Sequence, residues 1–204
     1  MSAVTSMRWV TLAAIVLVPF AMLFADRDVS GAMHGIGHPA VAVELTHLAD
    51  VPLPLAGLAL LAAGVAYLAG GRPGRGGRVV LVAAIATLVA RAVCDELKIA
   101  FGRTWPETWV ENNPSWIRDH TWLFHPFHGG RGYASFPSGH TTDIAAPAAV
   151  LWRCVPRWRW VAVVPVVLVA GGLVASDFHY VSDVLAGLYL GVVVAYGVSA
   201  LIAT

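Results

Sequence analysis

Three groups of residues in this sequence have the types and spacing for acid–base and nucleophilic chemistry on an anion. In DFHYVSDVLAG, His179 and Asp183 lie four apart, which places both on one face of a helix. A carboxylate that accepts the Nδ1–H of an imidazole fixes its tautomer and leaves Nε2 free as nucleophile or base. In SFPSGH, Pro137 stiffens the entry, Ser138 is a good N-cap, and Gly139 lets a ligand approach the backbone closely. The helix start predicted there presents unpaired N–H groups and the positive end of the dipole, an anion site with His140 in its first turn. The same residues also suit a plain cap with an interfacial histidine. In DELKIAFGRTWPE, Lys98 is the only lysine of the chain and Arg103 follows five residues on; both could reach an anion at a membrane surface or snorkel to headgroups. Arg91 and Asp95, four apart on the same segment, are expected to pair with each other.

Taken together, the three groups describe phosphoryl transfer. One histidine would attack phosphorus and a second would protonate the leaving oxygen. Lys98, Arg103 and the Ser138–Gly139–His140 segment would hold the equatorial oxygens.

The elements that must position these residues are apolar helices. Of 204 residues, 58% are hydrophobic and 12% charged, and the mean hydropathy is +0.71, far from the balance of a soluble domain. A net charge of +1 leaves no basic stripe for nucleic acid. A bilayer core needs about 20 apolar residues per helix, and six windows meet this loosely: 9–24, 53–69, 79–101, 141–155, 160–176 and 181–202. The expected fold is therefore an all-α integral membrane bundle of six helices in one domain, 1–204. The first window, preceded by Arg8, lacks a small-residue cleavage site after it and is read as a retained helix.

Arg72, Arg75 and Arg78 crowd one short loop and Arg153, Arg157 and Arg159 another. Cytoplasmic loops carry such an excess. Both termini are accordingly expected in the cytoplasm, with the three chemical groups at the outer ends of their helices. GGRPGRGG is a turn by composition and lacks the context of a phosphate loop. The long outward loop, 102–138, holds eight of the chain's aromatics between Trp105 and Phe136 and predicts an ordered layer at headgroup level. Cys94 and Cys154 lie in or beside apolar segments and read as packing residues. Histidines 34, 38 and 47 of the first loop and 120, 125 and 128 of the third are the candidate metal ligands. His34 and His38 have helical spacing, but Gly35, Gly37 and Pro39 argue against a helix there, so no metal or other cofactor is expected.

The order and spacing of these motifs resemble the type 2 phosphatidic acid phosphatase family, membrane lipid phosphatases related to vanadium haloperoxidases. The family pattern is a Lys, six residues, then Arg-Pro; a Pro-Ser-Gly-His; and an Arg, five residues, a His, three residues and an Asp. The resemblance covers about residues 95–190, and it implies six membrane helices with an outward site. Residue by residue, it implies that Lys98, Ser138, Gly139 and His140 bind phosphate, that His179 is the phosphorylated nucleophile oriented by Asp183, and that His140 is the general acid. No metal would be needed. Two positions depart: Trp105 and Leu173 stand where the family has arginine. Arg103, Arg118 and Arg131 are the expected substitutes. The implied activity is metal-independent hydrolysis of a membrane lipid phosphate or diphosphate of the phosphatidate, phosphatidylglycerol phosphate or polyprenyl phosphate class. A lipid phosphotransferase and a non-catalytic lipid-binding or translocating protein on the same scaffold are the alternatives.

Overall fold

The computed structural model describes residues 3–109 and 111–202. Its α-helices are α1 (Ala3–Phe24), α2 (Asp26–Ile36), α3 (Ala40–Thr46), α4 (Pro52–Leu68), α5 (Arg75–Phe101), α6 (Trp116–Asp119), α7 (Gly139–Cys154), α8 (Arg159–Ala175) and α9 (Val181–Ile202). Among the described residues there is no strand, only isolated bridges that join Arg103 to Phe124 and Ala134 and Trp105 to Ser115.

Among the described residues, five segments are long and apolar enough to cross a membrane: Thr5–Phe24, Ala40–Leu68, Arg75–Phe101, Pro156–Ala175 and Val181–Leu201. The protein is a multi-pass membrane protein. The sixth expected window, 141–155, is α7, whose 16 residues reach about 24 Å at 1.5 Å per residue, short of a bilayer core of about 30 Å. It begins where Ser138 caps it and stops before Pro156, which cannot continue it.

The first loop differs most from expectation. Residues 26–50 are helical for most of their length. Asp26 and Asp28 occupy the first turn of α2, where a carboxylate suits the helix dipole. The helix runs through His34 and Gly35 and ends at Gly37, whose φ of 81° is one that glycine adopts without cost. A second segment then starts at Pro39 and passes through α3 and a 3₁₀ turn (His47–Asp50) into α4, so this span begins near residue 40 rather than 53. Gly35 alone does not stop a helix; it only weakens one.

Helices α5, α7 and α9 form the centre. Helix α7 packs on α5, α8 and α9, while α1 lies on α9, α4 on α5 and α3 on α8. Only 6% of the most apolar stretch of the first two spans is buried, against 33% for α5 and α9, so α1 and α4 turn side chains such as Ile15, Phe20, Leu58 and Leu61 outward to lipid. Lipid tails are as apolar as leucine, so helices in a bilayer gain little from greasy contacts and associate through close packing of small residues. The centre follows this rule. Ala86, Ala90, Ala145 and Ala146 are buried to 1% exposure or less, and Gly187 and Gly191 bring α9 against α7. A Cβ at Gly187 would lie 2.4 Å from the Ser138 carbonyl, and one at Gly191 would lie 2.8 Å from Ala145 Cβ and 2.9 Å from the Thr142 carbonyl.

Gly191→Leu should therefore force the two central helices apart, overpacking worth about 1–3 kcal/mol or more. Gly197→Leu on the same helix, where a Cβ meets nothing within 4 Å, should be neutral. Thermal unfolding in detergent distinguishes them, and equal midpoints for the two variants would refute the close-packing account.

Candidate active site

The site is built on the start of α9 and the short link before it. After α8, the chain turns through Ser176–Tyr180, with the amides of Phe178 and His179 donating to the Leu173 carbonyl at 3.0 and 3.3 Å. Asp177 takes the left-handed backbone at φ 54°, which short polar residues tolerate better than most. This turn points His179 back over the first turn of α9, where its Nδ1 lies 3.4 Å from Asp183 Oδ2. The Tyr180 amide (3.1 Å) and the Ser135 hydroxyl (2.6 Å) donate to the same oxygen.

Arg103 supplies the counter-charge. One terminal nitrogen donates to Asp183 Oδ1 at 2.5 Å and to Ser182 Oγ at 2.6 Å, and the other to Asp26 Oδ2 at 2.8 Å. The Ser182 amide donates to Asp26 Oδ1 at 2.9 Å. Arg103 and Asp183 are fully buried and Asp26 is 1% exposed. The guanidinium also stacks 4.2 Å from the Tyr180 ring centroid. Sequence reasoning gave Arg103 to phosphate. The structure gives it to two carboxylates, because in a buried site a charge must be paired and Asp183 and Asp26 are its neighbours.

The Pro-Ser-Gly-His segment lies alongside. Ser138 is buried, and its hydroxyl accepts from the Thr141 amide (3.4 Å) and hydroxyl (3.0 Å) as an N-cap. Its own amide donates to the Asp183 carbonyl at 3.0 Å, tying α7 to α9. The first intrahelical bond is that from the Thr142 amide to the Ser138 carbonyl, so the amides of Gly139 and His140 have no acceptor within the helix. His140 is 45% exposed at its side chain and its Nε2 lies 3.7 Å from Asp50 Oδ1. It is within electrostatic reach of His179, Asp50, Arg91 and Lys98. Lys98 donates to the Ala134 carbonyl at 2.8 Å and lines a cleft of about 280 Å³ with Asp95, Ile99, His128, Arg131 and Ala134.

The two departures from the expected pattern have clear fates. The Trp105 indole lies 5.0 Å from the His179 imidazole, ring centroid to centroid, anchored by Nε1 donating to the Arg131 carbonyl at 2.8 Å. Leu173 is fully buried in an apolar cluster with Ala49, Val169 and Val184. Neither Arg118 nor Arg131 replaces the absent arginines: Arg118 is bound to Asn112, Asn113 and Asp119, and the Arg131 side chain is 74% exposed, 4.0 Å from Glu111.

Sequence reasoning missed a different arginine. Arg91 does lie 3.6 Å from Asp95, but it also hydrogen-bonds the buried Asp143, and its guanidinium fits under Gly139, where a Cβ would come within 2.7 Å of it. The signal was its seven-residue offset from Lys98, which puts both on one helix face. Ser135 and Asp26 had no such local signal. Among the weighed histidines, His47 contacts Asp50 at 3.0 Å, His125 and His128 stack near Tyr133, and His120 stacks on Trp116. His34 and His38 instead converge on Glu107.

Burial pushes the His179 imidazole below its ordinary value, against the opposing pull of Asp183. Burial thus favours the neutral ring, and Asp183 beside Nδ1 favours the tautomer that leaves Nε2 without a proton. A neutral imidazole held by an aspartate, next to a second histidine and uncapped amides, suits nucleophilic attack on an anionic centre.

Comparison with known proteins gives the family and the fold. Residues 78–204 match the model of the PAP2 superfamily. The chain belongs to that superfamily. Two curated relatives are lipid A 1-phosphatases, from Rhizobium etli and Rhizobium johnstonii, each 34% identical over 95 residues. That stretch is 47% of this chain and 38% and 36% of the relatives, so the chain matches little more than a third of their length. Among solved structures, a transmembrane PAP2-type phosphatidylglycerolphosphate phosphatase from Bacillus subtilis superposes with a TM-score of 0.57 at 24% identity, covering 96% of this chain and 94% of that one. The likeness is one of fold. The PAP2 match begins within α5 and takes in every residue of the site except Asp26 and Asp50.

Removing the charge from Arg103 should expose how far this PAP2 site depends on it. Arg103→Met leaves two buried carboxylates without a cation, a loss of about 3–5 kcal/mol, read as a lowered unfolding midpoint in detergent. A variant as stable as wild type would mean that the ion triad does not pin the site.

Proposed function

We propose that this protein is a membrane lipid phosphatase that works through a phosphohistidine at His179 and uses no metal in the phosphoryl-transfer step. The observation that carries the reading is the buried His179, its Nδ1 3.4 Å from Asp183 and its Nε2 unassigned to any partner, beside the α7 start that bears His140. In the first step Nε2 forms a bond to phosphorus as the bond from phosphorus to the lipid oxygen breaks. The His140 imidazolium gives its proton to that oxygen. In the second step water attacks the phosphohistidine, His140 takes the water proton, and inorganic phosphate leaves with His179 restored. Lys98 and the Gly139 and His140 amides stabilise the equatorial oxygens.

The substrate is a lipid phosphate or diphosphate of the phosphatidate, phosphatidylglycerol phosphate or polyprenyl phosphate class. Supporting this are the names of the relatives, which act on lipid A and phosphatidylglycerol phosphate. The site sits at the outer ends of its helices in a bacterial plasma membrane, with both termini cytoplasmic; the arginines of the loops at 72–78 and 153–159 support that orientation. A non-catalytic lipid binder on the same scaffold is the second reading, favoured by Trp105 covering His179 and by Leu173 in the core.

Phosphate release from a panel of these lipids by purified protein, with His179→Ala beside wild type, separates the two. An enzyme loses more than ~10³-fold of its rate in the variant and yields an acid-labile, alkali-stable phosphoprotein in wild type. Equal lipid binding with no release from either protein would favour the binder. Because burial lowers the His179 value, the nucleophile stays neutral below the ordinary imidazole range. The rising limb of kcat/KM should therefore lie below about pH 6.5; burial lowers His140 as well, to about 4 in the free protein, so the falling limb is expected in kcat, where a bound phosphate anion holds the proton on His140. A profile flat from pH 5 to 8 counts against the two-histidine mechanism.

A further inference from the structure

Away from the phosphoryl-transfer histidines, a second set of ligating side chains converges. His34 comes from the last turn of α2, His38 from the link that follows, and Glu107 from the loop after α5. One ligand atom of each lies within 4.8 Å of the others, and His34 Nδ1 is 2.6 Å from Glu107 Oε2. Tetrahedral zinc, with bonds of about 2.0–2.2 Å to nitrogen and oxygen, needs ligand atoms about 3.3 Å apart. The three atoms already bracket that spacing, and small rotations of two exposed imidazoles close it.

The set is also held in place from outside, as metal ligands generally are. Glu107 turns its other oxygen to the Thr108 amide at 2.9 Å, which leaves Oε2 facing the histidines. His38 packs edge-on to Trp109 with ring centroids 4.6 Å apart. Trp109 is itself fixed by Nε1 donating to the Asp177 carbonyl at 3.1 Å and by the Phe178 ring at 4.7 Å.

An independent observation points to a missing cation. Asp177 is 1% exposed, and its carboxylate has no well-formed hydrogen bond, the Ser30 hydroxyl being the neutral donor beside it. The charged groups acting on it are those of Glu107 and His34. Two carboxylates and an imidazole thus share a partly enclosed corner with no fixed positive charge among them, whereas the other buried aspartates of the site, Asp26, Asp143 and Asp183, each have an arginine. A divalent cation at His34 and Glu107 supplies a positive charge near Asp177, with water completing the fourth position.

We propose that His34, His38 and Glu107 form a zinc-class divalent-metal site that clips α2 and its following link to the loop carrying Trp105. Two imidazoles and a carboxylate are a ligand set suited to zinc. The role is structural, and it does not rest on the proposed phosphatase activity, so the two readings fail separately.

The test is metal content. Tag-free wild-type protein in detergent is stripped with EDTA, then titrated with zinc and, in parallel, with cobalt, whose visible absorption reports tetrahedral binding. One zinc per chain is expected at micromolar or lower free zinc, with a rise in unfolding midpoint. His34→Ala, His38→Ala and Glu107→Gln should each weaken binding at least tenfold, while His125→Ala with His128→Ala should leave it unchanged. Absence of stoichiometric zinc in wild type, or undiminished binding in His34→Ala, overturns the proposal. Should the variants not fold, X-ray absorption at the zinc edge of wild type decides: two imidazoles with oxygen ligands support the site, and one imidazole or a sulfur ligand refutes it.

Discussion

The ion triad of Asp26, Arg103 and Asp183 is the constraint on which the rest of the site depends. It joins three parts of the chain that are distant in sequence: the beginning of α2, the loop after α5 and the first turn of α9. Burying a guanidinium with no exposure is tolerable only because both terminal nitrogens are matched by carboxylate oxygens. The matching fixes Asp183, Asp183 fixes His179, and the Ser138 amide on the Asp183 carbonyl fixes the start of α7. Remove the guanidinium and each of these positions loses its reference.

The triad also explains how the site stands with Trp105 and Leu173 at positions where the expected pattern has arginine. Positive charge remains near the α7 start through Lys98 and through Arg91 beneath Gly139. Trp105 sets a flat apolar ring beside His179 and shields it from water. That desolvation helps keep the His179 imidazole neutral, a state an adjacent guanidinium would also favour by repulsion. Leu173 contributes to packing alone, since it is sealed between α8 and α9.

Much of this was legible in the sequence because it is local. Hydropathy marked the helices, the four-residue spacing of His179 and Asp183 marked a shared face, and Ser138 marked a helix start. Interactions between distant segments were not. Nothing near Arg103 in the sequence says that it faces Asp26, 77 residues earlier, so a cation next to a membrane surface read as a phosphate ligand. Glu107 was passed over for the same reason, since its histidine partners lie in another segment. The first loop read as irregular because glycine lowers helix propensity, yet about 1 kcal/mol per glycine is easily outweighed when α2 and α3 pack against α8. The shortness of α7 was visible in its window, 141–155, which Pro156 and Arg157 close.

The placement of Asp26 has a consequence for how the molecule is made. At about 5–20 residues per second, the 77 residues that separate it from Arg103 take about 4–15 s to synthesise, and the further 80 to Asp183 as long again. For that interval the first two spans are in the bilayer with a carboxylate that has no permanent cation. It must wait in water at the membrane surface, held there by the end of α1. The head of α9, where Arg103 is also bound by Asp183, completes the pairing that draws it inside. Closure of the bundle around Arg103 is therefore a late event, and the N-terminal helices are assembled onto a centre that does not exist when they are inserted.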